Sequence, residues 1–73
     1  MSIKAQTLMV AIQCVNTEIK RLDALLNQDE VDNPEEIEQL LLSFDLAAAD
    51  LKESYEAALE KFGELPPYAD LIK

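Results

Sequence analysis

NQDEVDNPEE, residues 27–36, is the passage on which the fold turns. It is polar and acidic, and it carries Pro34 between two long stretches that hold no helix breaker. It also reads as a helix start. Asn33 suits the N-cap and Pro34 the first helical position, with Glu35 and Glu36 facing the positive end of the helix dipole. Downstream, Gly63, the one glycine of the chain, suits the C′ position, and Pro66 soon after prevents continuation. The pattern predicts an all-α chain: two helices over about 3–28 and 34–62, then a short proline-containing tail over 63–73. The tail is expected to be extended or to form a short turn.

Working outward from the connection, apolar residues recur at Met1, Ala5, Leu8, Ile12, Val15, Ile19, Leu22 and Leu26. The steps alternate four and three, the repeat of a coiled-coil seam. The second segment repeats the pattern at Ile37, Leu41, Phe44, Ala48, Leu51, Tyr55, Ala58 and Phe62. A short connection folds the two seams antiparallel and pairs Leu26 with Ile37, Ile19 with Phe44, Val15 with Ala48, Ile12 with Leu51 and Leu8 with Tyr55. Met1 falls opposite Phe62. The layers match without a skip, so an antiparallel two-helix hairpin is the expected fold.

Seventy-three residues make one domain with a thin core. Chains of this size usually need reinforcement. Cys14 is the only cysteine, so no disulfide forms within the chain, and there is no histidine for a zinc site. Packing and self-association remain.

A lone hairpin needs one apolar seam, and this chain has more. Ile3, Thr7, Val10, Cys14, Thr17, Arg21 and Ala24 lie outside the first seam, with a single charge among them. Leu40, Leu42, Leu46 and Ala49 lie beyond the second. Helices apolar on more than one side are buried on more than one side, and soluble monomers rarely leave such patches in water. A homodimer forming a four-helix bundle, with the first helix central, is therefore expected. The tail offers another cover through Leu65, Tyr68, Leu71 and Ile72. The candidate contact residues are Val10, Cys14, Leu42 and Leu46, with Met9 at the margin.

Charge is unevenly placed. Residues 1–28 carry a net of +1 and residues 29–73 a net of −10. Asp50, Glu53, Glu56 and Glu60 follow one another at helical spacing, where like charges repel by a few tenths of a kcal/mol per pair. They suit a solvated face that keeps an apolar protein soluble. As an alternative, they suit a decoy that occupies the nucleic-acid-binding surface of a basic partner. Direct nucleic-acid binding needs a basic patch, and the sequence offers none.

Several chemistries are excluded by composition. Without histidine there is no His-dependent triad and no Glu-x-x-His di-iron site. The acidic connection lacks the alternating ligands and central glycine of an EF-hand loop. Cys14 has no cation within one helical turn, which predicts a buried structural thiol rather than a nucleophile. No enzyme activity, cofactor or metal is expected. The apolar run Leu8–Ile12 is shorter than the roughly seven residues a secretion signal needs, and no segment approaches the roughly 18 of a membrane span. The sequence reads as a cytoplasmic, non-enzymatic protein–protein interaction module that binds itself and another protein.

Overall fold

The computed structural model describes residues 3–28 and 30–72. Helix α1 runs Ala5–Leu26, helix α2 Pro34–Lys61, and α3 is a single turn, Tyr68–Leu71. The 28 residues of α2 span about 42 Å at 1.5 Å per residue, close to the long dimension of 46 Å. The two long helices pack against each other as the predicted all-α hairpin.

The ends of the helices differ from expectation in ways that have local causes. Helix α1 starts at Ala5 rather than residue 3, because Lys4 is extended and its ammonium has no acceptor to offer the first turn. It ends at Leu26, where the Asn27 N–H is shared between the Asp23 and Ala24 carbonyls at 3.2 and 3.3 Å, a three-centre pattern common at helix termini.

Asn33 precedes α2, but its side chain makes no capping hydrogen bond. The residue instead adopts the left-handed conformation, φ 57° and ψ 56°, which asparagine tolerates better than most side chains. Its carbonyl accepts from Glu36 N–H and Ile37 N–H. Asn33 thus serves the connection through its backbone. Gly63 is not the left-handed terminator expected. Phe62 leaves the helix in extended conformation, φ −123°, and no glycine has positive φ. A turn closed by Leu65 N–H on the Phe62 carbonyl then reverses the chain.

Every described seam residue of α1 is buried or half-buried, and so is every one of α2 except Phe62, which is 57% exposed. Its expected partner Met1 lies outside the described residues. Leu8, Ile12 and Tyr55 form the innermost cluster. Around it pack Met9, Leu51 and Leu59 from the long helices, and Leu65, Tyr68, Leu71 and Ile72 from the tail. The tail is therefore a third layer over one flank of the hairpin. Pro67, φ −65° and ψ 152°, is in polyproline conformation and leads directly into α3.

Tyr55 holds this layer in place. It is 0% exposed, and its hydroxyl donates to the Pro66 carbonyl at 2.5 Å. Its ring centroid lies 6.5 Å from that of Tyr68, within the range of favourable aromatic pairs. The Lys52 ammonium sits 5.4 Å from the Tyr68 centroid, a cation–π distance. Asn16 Nδ2 donates to the Ile72 carbonyl at 3.5 Å. Burial pushes the Tyr55 phenol up from its ordinary value.

Candidate interaction surfaces

Seam-to-seam packing decides where everything else points. At about 100° per residue, Val10 lies about 180° from the mean direction of Leu8 and Ile12. By the same count Leu46 lies about 180° from Phe44 and Ala48. Val10 and Leu46 therefore sit on the backs of their helices, and because the seams face each other, those backs look in opposite directions. Val10 is 54% exposed, Leu42 62% and Leu46 65%. The candidate contact residues form two separate faces, Val10 with Cys14 on α1 and Leu42 with Leu46 on α2.

Met9 belongs to neither. It is half-buried and packs against the Leu8, Ile12 and Tyr55 cluster on the flank that the tail covers. Cys14 is exposed rather than buried. Its direction, well away from the seam, removes it from the core between the two helices. Thr7, Thr17, Arg21 and Ala24 are exposed with it, as is Ile3. The Arg21 guanidinium donates to the Glu18 carboxylate one turn earlier.

On α2 the four acidic candidates divide as well. All are exposed. Glu53, Glu56 and Glu60 lie within about 60° of one another around the axis, whereas Asp50 lies about 120° from Glu56. Glu53, Glu56 and Glu60 have no cation paired with them among the described residues. Exposed Leu40 and Ala49, and Glu35 and Glu38 at the start of the helix, are further surface groups of α2. The sequence signal for Glu35 and Glu38 was present in the four-three steps that lead from them to Leu42.

Among the described residues no group of three or more His, Cys, Asp or Glu is arranged to hold a metal ion. No described helix is long and apolar enough to cross a membrane. The concavities are shallow. One lies between the ends of the long helices, lined by Ile3, Ala5, Leu8, Ala58, Phe62 and Leu65. Another, beside Cys14, is bordered by Thr17, Glu18 and Arg21.

Two comparisons bear on what is being bound. The profile of the family described as "T6SS, Immune protein Tsi2-like" matches residues 1–71. The chain is also 55% identical over 73 residues to "Immune protein Tsi2" of Pseudomonas aeruginosa, an alignment covering 100% of this chain and 95% of that protein.

Proposed function

Since the chain belongs to the Tsi2-like family of T6SS immune proteins, we propose that it neutralises a toxin protein by binding it, with no chemistry of its own. The observation that carries this reading is the exposure of Leu42 and Leu46 together on the back of α2. The tail covers the Tyr55 flank and leaves these leucines in water. Apolar side chains held out on a rigid helix are the usual centre of a protein interface.

Titration tests it. A protein that acts by occupancy protects in proportion to its amount, with an end point at a fixed molar ratio to the toxin. Protection by far smaller amounts requires turnover and would overturn the reading.

The same reading seats self-association, as a four-helix bundle of two hairpins, on the back of α1. Support comes from exposed Ile3 and Val10 and from the run Ala5–Thr17, which contains no charge. Val10→Asp places a carboxylate in that contact, where an unpaired buried charge is strongly unfavourable. The expected result is a monomer at micromolar concentration with helix content unchanged, measured by sedimentation and circular dichroism. A Val10→Asp chain that sediments as the unaltered one does would remove α1 from the interface. We place the protein in the cytoplasm, in keeping with an exposed, unpaired Cys14, the state that reducing compartments maintain.

A further inference from the structure

The back of α2 differs in make-up from the back of α1, and the difference specifies an occupant. Leu42, Leu46 and Ala49 are exposed and share one side of the helix. Four-three steps continue that side toward the N-terminus through Glu38 and Glu35. In the other direction they continue it through Glu53, Glu56 and Glu60. All eight positions are exposed and fall in a stripe about 80° wide. The apolar centre is about 10 Å long, with carboxylates beginning about 6 Å beyond it at each end.

Local stability accounts for one end only. Glu35 lies in the first turn of α2, where the helix dipole favours acids. Glu53, Glu56 and Glu60 lie in the C-terminal half, where the dipole favours cations and their own spacing is repulsive. The cations nearby form no ion pair with these glutamates among the described residues. Lys52 lies over the Tyr68 ring on the tail flank, and Lys61 lies about 80° from Glu53 and about 140° from Glu56 around the axis. A stripe that is apolar in the middle and purely acidic at both ends has the layout of an interface core and rim, with the rim charge setting the sign of the partner.

We infer that the back of α2 is the toxin-docking surface, and that the toxin meets it with an apolar patch flanked by lysine or arginine. This inference rests on the reading of the chain as a toxin-binding immune protein. It assigns separate duties to the two helices: α1 binds a second copy and α2 binds the toxin.

The probe is the purified toxin against which the chain protects cells. Affinity and association rate are measured for the unaltered full-length chain, for Leu46→Asp, and for the triple variant Glu53→Lys, Glu56→Lys, Glu60→Lys. Leu46→Asp is expected to weaken binding about 100-fold at every salt concentration, as loss of a central apolar anchor does. The triple variant is expected to lose about tenfold at low salt, mostly in association rate, and to approach the unaltered chain as salt rises. Both are expected to keep the helix content and sedimentation of the unaltered chain. Unchanged affinity in either variant overturns the assignment of this surface while leaving the toxin-binding reading intact. If the unaltered chain itself binds no toxin, both fall.

Discussion

Toward the open end of the hairpin, Leu8, Ile12 and Tyr55 are sealed from water. Toward the connection, Ile19, Leu26, Ile37, Leu41 and Phe44 occupy equivalent seam positions and stay half-buried, with Leu22 alone fully covered. The seam is of one kind throughout. What differs is the third layer, because Leu65, Tyr68, Leu71 and Ile72 lie over the first region and no third helix among the described residues lies over the second. Two helices meet along a line and leave its flanks wet, and a small domain cannot bury much more by itself. The exposed leucines Leu40, Leu42 and Leu46 belong to the end that lacks the third layer.

Mutation at equivalent depths sharpens this contrast. Ile12→Ala removes a fully buried side chain and is expected to lower stability by about 3 kcal/mol in urea unfolding. Phe44→Ala, from the half-wet end, is expected to lose only about 1.5 kcal/mol despite removing more carbon. Equal losses would mean that a second molecule already dries the connection end in solution, and the contrast would hold only for the isolated chain.

Tyr55→Phe tests the fastening of the third layer. It deletes the hydrogen bond to the Pro66 carbonyl, at an expected cost of about 1 kcal/mol near neutral pH. The pH dependence has a definite sign. Burial raises the phenol's proton affinity in the folded state, so its contribution is fully present below the unfolded value of about 10 and is lost as pH rises through the folded one. The unaltered chain should therefore show an alkaline loss of stability that Tyr55→Phe reduces. An identical alkaline profile in the two proteins would argue that the tail is held by its apolar contacts alone.

The smallest effect is expected at the connection. Asn33→Gly keeps the left-handed backbone accessible and removes no capping bond, since none is made. Its change in stability should stay within about 0.5 kcal/mol in the same unfolding experiment. A loss of 1 kcal/mol or more, the usual result of removing an N-cap, would show that the side chain does cap in solution.

Much of the hairpin was legible because heptad spacing reports directly which side of a helix meets its neighbour. That is why Val15, Ile19, Phe44 and Ala48 were placed correctly from their positions alone. Met9 was not, since periodicity cannot say which flank the tail will take, and the tail's choice is what half-buries Met9 and brings Asn16 to Ile72. The two backs were named as one set of contacts for a different reason. Apolar residues were grouped by type, whereas the opposition of Val10 and Leu46 follows only once the seams are made to face each other. Asn33 and Gly63 show the limit of residue preference, because each stands at the expected boundary and uses a different part of its chemistry there. The tyrosine hydroxyl was invisible for a related reason, as Tyr55 was read by its ring.

Both tyrosines of this chain, Tyr55 under the tail and Tyr68 within it, stand in contact range, and the chain contains no tryptophan. Its ultraviolet emission is thus a local gauge of whether the tail is seated, blind to events at the leucine-bearing end. Any indole fluorescence seen in a mixture must come from another protein, so capture can be followed optically without attaching a dye.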